Sequence, residues 1–294
     1  MRKIIPSQTA IKDLHQFIVG AIAPRPIAFV STMDANGVAN LAPYSFFNAF
    51  SSNPPILVFS SNRRVQDNTT KDTLHNAEAT REVVVNVVNY DIVKQMTIAS
   101  VNYDADISEF EKSGLSPLPS ETVKPFRVKE SPVHFECKVK EIITMGEHGG
   151  AGHLIICEVQ LIHINENVID ANNRIDPNKL DLVGRLGRAY YVRASGDALF
   201  SLFQEPEQMA MGFDKLPQSF KESDILTGND LASLASLLHF PSEEILLTWK
   251  NNEELQNLIA QNKKDQIHLW AKQLISASKA MDAFSVLLLW HQSL

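Results

Sequence analysis

Between Ile27 and Ile164 the apolar residues fall in short runs separated by turn-forming clusters, the pattern of strands rather than helices. IAFVST (27–32) and VANLAPYSFF (38–47) flank Asp34-Ala35-Asn36-Gly37 and predict a hairpin. Asn53-Pro54-Pro55 breaks the pattern, and ILVFSS (56–61) reads as the next strand. The polar stretch 62–80 predicts a loop running into a short helix. REVVVNVVN (81–89) reads as a buried strand and YDIVKQMTIASV (90–101) as a helix. Residues 103–129, with Gly114, Pro117, Pro119 and Pro125, read as a long surface excursion with one helical turn. VHFECKVKEIITM (133–145) and HLIICEVQLIHI (153–164) then bracket the turn EHGGAG (147–152). Short strands with few helices predict an antiparallel barrel over a doubly wound sheet.

Beyond Asp197 the period becomes helical, in DALFSLF, NDLASLASLLHF, SEEILLTWKNNEELQNLIAQ and KDQIHLWAKQLISASKAMDAFSVLLLWHQ. The chain is therefore expected to hold a β domain over residues 1–196 and a helical appendage over 197–294, joined through Pro206, Gly212 and Pro217. Trp249, Trp270, Trp290 and the leucine stripes read as packing faces. Helices that are amphipathic rather than apolar all round are expected to pack on the barrel or on a dimer mate.

A length of 294 residues suits two domains, and a 44% apolar share is ordinary for a globular protein. The net charge of −7 argues against nucleic acid or an anionic membrane as the main partner. No apolar stretch is long enough to span a bilayer, and the N-terminal segment lacks a secretory signal's apolar run, so the expected address is the cytosol. Cys137 and Cys157 make no disulfide framework; they read as reduced, buried thiols on neighbouring strands.

Motif by motif, much chemistry is disfavoured. There is no GxGxxG and no Walker A sequence, which disfavours Rossmann and P-loop sites. There is no GxSxG elbow for hydrolysis, and His134, His148, His153 and His163 show no helical metal-ligand spacing. Two features remain. In ANLAPYSFFNAFSSNPP (39–55), Pro43 is expected to break the strand, leaving backbone groups that a planar, heteroatom-rimmed ligand such as a flavin could satisfy. An edge strand with a bulge, satisfied by water, is the structural alternative. The second feature is Thr69-Thr70-Lys71-Asp72-Thr73 ahead of a helix, with Arg63 and Arg64 before it. Helix N-termini attract anions, so Lys71 and Thr73 would face a phosphate while Asp72 serves as N-cap. A capped, solvated helix start is the alternative there.

Taken in order, several motifs resemble the flavin reductase-like family of FMN-binding split barrels. They are PRPIAFVST (24–32), NLAPYSFFNAFSSNPP (40–55), KDTLHN (71–76), EFEKSGL (109–115), SPVHFEC (131–137) and GRLGRAYY (184–191), within a resemblance spanning about 18–193. The resemblance implies a mainly β fold, a Greek-key FMN-binding split barrel followed by the helical region. It also implies a homodimer with FMN near the subunit interface and NADH or NADPH as electron donor. By motif position, Ser31 and Thr32 would flank the flavin, and Asn40, Leu41, Ala42 and Tyr44 would line its ring, largely through backbone groups. Ser45 would reach its polar rim. Ser60, Lys71 and Thr73 would hold the phosphate, and Tyr190 or Tyr191 would close the pocket. His153 is a candidate nicotinamide or substrate contact, with His148 its competitor. A paired glycine of the family is replaced here by Gly187-Arg188. The expected activity is hydride transfer from nicotinamide to flavin N5, with no obligatory protein acid or base. A non-catalytic FMN electron carrier reduced by a protein partner, and a flavin-free split-barrel binding module, are the alternatives.

Overall fold

The computed structural model describes residues 1–104, 107–202 and 208–294, divided into one unit over Met1–Phe200 and another over Ser201–Leu294. Pro206, placed in the linker on sequence grounds, lies outside the described residues. The first unit opens with helix α1 (Ile11–Ala21), followed by strands β1 (Ala28–Met33), β2 (Ala39–Tyr44), β3 (Phe47–Ser52) and β4 (Pro55–Ser60). Helix α2 (Asp72–Thr80) leads into β5 (Glu82–Val87), and α3 (Val93–Ile98) and α4 (Glu109–Ser113) follow. The two-residue strands β6 (Pro117–Leu118) and β7 (Arg127–Val128) precede the long strands β8 (Val133–Thr144) and β9 (His153–Ile164). A short helix α5 (Pro177–Leu180) and the pair β10 (Leu182–Arg185) and β11 (Tyr191–Ala194) complete the unit.

Seven strands form one antiparallel sheet in the order β2-β1-β5-β8-β9-β4-β3. Its two edges, β2 and β3, are consecutive in the chain and joined only by Ser45 and Phe46. Laid flat, seven strands would set those edges roughly 29 Å apart, whereas the three Cα steps from Tyr44 to Phe47 span at most about 11 Å. The sheet must therefore be rolled until its edges meet, with the seam between β2 and β3: a split barrel.

Pro43 does not interrupt its strand. Residues 39–44 pair continuously with β1, Pro43 opposite Phe29 and Tyr44 opposite Ala28. The position explains the tolerance. Leu41 N–H points away from β1, where it donates to Glu109 Oε2 at 3.0 Å. Strand alternation places the Pro43 nitrogen on that same outer side, where an edge strand has no ladder bond to lose.

Two apolar layers enclose the barrel wall. Inside, Val30, Phe59, Val83, Val85 and Ile155 pack together with Leu74 and Ala77 of α2. Outside, Phe29 and Leu41 are covered by Ile92, Met96 and Phe110 from α3, α4 and the segments beside them. This second layer accounts for β1 being buried on both faces. The excursion before β8 is fastened by Glu136, whose fully buried carboxylate accepts from the backbone N–H groups of Glu121 and Thr122 and from Thr122 Oγ1 and His163 Nε2. Burial alone would raise the Glu136 pKa, but these donors outweigh it and hold the pKa at about 2. Cys137 and Cys157 are free thiols on adjacent strands, each buried and pushed above its usual range by desolvation.

The second unit contains helices α6 (Gln218–Lys221), α7 (Gly228–Ala235), α8 (Glu243–Lys250), α9 (Glu253–Ala260), α10 (Lys264–Ser276) and α11 (Ala280–His291). They close over a core including Phe220, Leu234, Leu255, Ile267, Phe284 and Leu287. Trp290 joins that core, and Trp249 stacks edge-on against Trp270 at 5.5 Å while donating to Asp282. The two longest helical runs read from sequence are each split. Residues 242–261 break before Asn252, which caps α9 by accepting from Leu255 N–H; residues 264–292 break at Ser278, which adopts φ +60°. DALFSLF contributes only to a single 3₁₀ turn at Gly196–Ala198, and Phe203 lies outside the described residues.

Candidate functional site

A continuous groove follows the outer side of β2 to the seam. Its first section is lined by Asn40, Ala42, Arg64, Lys71, Thr73 and Glu109, among others. Ser100 connects it to a second section bounded by Pro43, Tyr44, Ser45, Arg185 and Tyr191. Ser45 connects that to a third, along Phe46, Phe47, Asn48 and Ser60. Seven of the residues named from sequence thus share one groove: Asn40, Ala42, Tyr44, Ser45, Ser60, Lys71 and Thr73.

Ser31, Thr32 and Leu41 stand behind it, each fully buried. Ser31 Oγ donates to the Phe126 carbonyl. Thr32 Oγ1 accepts from Asn40 Nδ2 and Asn76 Nδ2, both at 3.1 Å, and Asn40 Nδ2 also reaches Thr73 Oγ1 at 2.9 Å. These four side chains brace β1 and β2 against the start of α2. The Leu41 N–H, expected to meet the ligand, is taken by Glu109. His153 sits in the interior, 2% exposed, with its backbone paired to Ser61 and its Nδ1 sealed from solvent. His148 lies exposed in the hairpin turn. Tyr191 lines the groove, whereas Tyr190 is exposed away from it.

The phosphate-site expectation changes in one respect. Lys71, extended at φ −96° and ψ 152°, is the N-cap of α2, and Asp72 is its first helical residue. Asp72 therefore places its charge in the favourable first turn. The Lys71 ammonium lies 5.1 Å from the Tyr44 ring centroid and has no hydrogen-bond or ion-pair partner among the described residues. Burial lowers its pKa, Arg64 lowers it further, and Glu109 opposes both. Arg64 is held beside it by Thr69 Oγ1, the Thr70 carbonyl and Asn102 Oδ1, at 2.8, 2.9 and 3.3 Å. Tyr44 points its hydroxyl inward, beside Thr73 and Ser61, with no well-formed hydrogen bond; desolvation pushes its pKa up to about 12.

Glycines of the β8–β9 turn let that hairpin lie against the arginine loop. A Cβ at Gly149 would stand 2.9 Å from the Arg64 carbonyl oxygen, and one at Gly152 would stand 2.6 Å from Ser60 Oγ. Ser60 Oγ donates to Asn62 Oδ1 at 2.7 Å, and Asn62 reaches the Gly150 carbonyl. Two further contributors were not singled out from sequence. Glu109 looked like part of a surface helix turn, and only the tertiary structure brings it to β2. Arg25, inside PRP, donates to the Val19, Ile22 and Leu186 carbonyls and, at 3.4 Å, to Ser45 Oγ. It ties the end of α1 and the β10–β11 hairpin to the groove. Among the described residues no group of three or more His, Cys, Asp or Glu is placed to hold a metal.

The donor set fits a flavin mononucleotide: a cationic end formed by Lys71 and Arg64, then a wall of Pro43, Tyr44 and Ser45 along an edge strand. Residues 20–179 match the flavin reductase like domain. An uncharacterized protein of Aquifex aeolicus is 37% identical over 195 residues, which cover 66% of this chain and 97% of that one. The crystal structure of nitrilotriacetate monooxygenase component B from Bacillus cereus aligns at 32% identity with a TM-score of 0.64, covering 69% of this chain and 98% of that one. The 2-nitrobenzoate 2-nitroreductase NbaA of Pseudomonas fluorescens aligns at 28% identity and 0.63, covering 72% and 100%. With more than half its length matched by the domain, and with most of the groove built within that match, this chain belongs to the flavin reductase like family.

Proposed function

We propose that the protein is an FMN-dependent oxidoreductase that draws electrons from NADH or NADPH. The observation that carries the reading is the half-buried Lys71 ammonium, which has no hydrogen bond or close ion pair among the described residues and shares a cavity with Arg64 at one end of the groove. A partly desolvated, unpaired cation is costly, and a phosphate monoester there would offset that cost through charge-assisted hydrogen bonds. Lys71 and Arg64 would hold the phosphate, with the α2 N-terminus adding its dipole. Pro43, Tyr44 and Ser45 would wall the ring, and Arg25 fixes Ser45 in place. When bound, FMN supplies the ring that accepts a hydride from reduced nicotinamide. The barrel's part is orientation and exclusion of water, so no side chain is assigned as general acid or base. One relative is a monooxygenase component and another a nitroreductase, names that agree on redox chemistry.

Assembly as a homodimer belongs to the same proposal. Helix α1 buries none of its residues, leaving Ile11, Ile18 and Ile22 exposed around its apolar face. A mostly apolar cavity of about 460 Å³ opens between β3 and the β10–β11 hairpin, lined by Phe47, Ala49, Leu57, Phe135 and Val192 among others. Both are surfaces a second copy would cover.

Anaerobic mixing of FMN-loaded protein with NADH or NADPH tests the activity. Bleaching of the oxidised flavin band is expected with at least one of them. Persistent oxidised flavin with both, followed by reduction with a ferredoxin, would replace this reading with that of an electron carrier. Failure to take up FMN at all would favour the flavin-free binding module.

A further inference from the structure

The cationic end of the groove also holds a carboxylate that phosphate binding alone does not call for. Glu109, 8% exposed, lines the same cavity as Lys71 and Arg64. Its Oε2 accepts from Leu41 N–H at 3.0 Å, and its own backbone N–H also faces the carboxylate. Among the described residues, the titratable groups around it are Lys71 and Asp72 from the start of α2, Tyr44 from β2, and Arg64 and Tyr103 from the flanking loops. Among the described residues, two cations and two carboxylates line the cavity.

We infer that Glu109 sets the charge the cavity accepts, so that the phosphate monoester of FMN enters together with a proton that Glu109 takes up. The inference rests on the FMN reading of the groove. A phosphate dianion would engage Lys71 and Arg64, neutralising positive charge that favours the ionised form of Glu109 and adding like charge to a poorly solvated pocket. The proton comes from bulk water or buffer and forms an O–H bond at Oε1. Oε2 keeps the Leu41 N–H, and no redox step is involved. Burial raises the Glu109 pKa; the Leu41 N–H and its own N–H oppose that rise, Asp72 adds to it and Lys71 opposes it. Glu109 thereby acts as a specificity-determining residue, favouring a singly phosphorylated tail over a more highly charged one.

Calorimetric titration of the full chain with FMN at pH 7.5, in two buffers of different ionisation enthalpy, counts the protons exchanged. A free phosphate monoester, with its second pKa about 6, is almost wholly dianionic there. Uptake of about half a proton or more per FMN is expected, with affinity weakening as pH rises, by up to about tenfold per unit. Riboflavin, which lacks the phosphate, is expected to bind without uptake. Glu109→Gln, which can still accept from Leu41 N–H, is expected to abolish both the uptake and the pH dependence. FMN binding without proton uptake by the wild-type chain overturns the inference and needs no variant to fold. Equal uptake by the variant overturns it too, placing the proton on a group other than Glu109, the bound phosphate included. If FMN does not bind at all, the FMN reading fails and the inference fails with it.

Discussion

At the scale of single residues, the groove is arranged around Lys71. The KDT stretch can be read directly from the sequence, but what makes Lys71 informative is that the fold gives it Tyr44 and Arg64 as neighbours and, among the described residues, no carboxylate in ion-pair range. Lys71→Met should weaken FMN binding about 10- to 100-fold, the value of one charge-assisted hydrogen bond, and leave riboflavin binding unchanged. Fluorescence titration with both ligands checks this, and equal losses for the two would separate Lys71 from the phosphate. Asn40 shows the reverse relation between sequence and structure. Motif position put it on the ligand, yet its amide spans Thr32 and Thr73, so part of its work is to brace the wall of the groove.

Among elements, the loop before β8 shows how one side chain can fasten a long segment. Glu136 supplies the acceptors for Glu121 N–H, Thr122 N–H and Thr122 Oγ1, and it meets His163 at 2.7 Å. Its folded-state pKa of about 2 lies below the ordinary glutamate value of 4.5. A depressed carboxylate contributes stability above its unfolded pKa and loses it as pH falls toward the folded value. Denaturant unfolding between pH 5 and pH 2 should therefore show a loss of stability that Glu136→Gln flattens. Parallel curves for the two proteins would assign the acid sensitivity elsewhere. Alternating hydrophobicity reveals β8 itself, but not this fastening, because a lone glutamate in an apolar strand can equally well face water. The same limit hid α1, none of whose apolar residues is fully buried.

For the whole molecule, the domain match at residues 20–179 falls entirely within the first unit, and the Aquifex relative is covered almost completely by two thirds of this chain. Every residue lining the groove also lies in that unit. Residues 1–200 expressed alone should consequently bind FMN within about twofold of the full chain's affinity, since no proposed contact is removed. A loss of tenfold or more in the same titration would give the second unit a part in cofactor binding.

Hydrophobic periodicity by itself determined the strands, the change to helices near residue 200 and the barrel class, because burial of apolar side chains imposes a period of two on strands and 3.6 on helices. Local chemistry likewise marked KDT as a cationic helix start. Only the tertiary structure decided that Pro43 lies on an edge and leaves its strand intact, that Glu109 reaches β2 and that His153 is sealed inside. Those facts depend on which strand becomes an edge and which loop folds over it. Such pairings join residues tens of positions apart, and no local pattern of residue types records them.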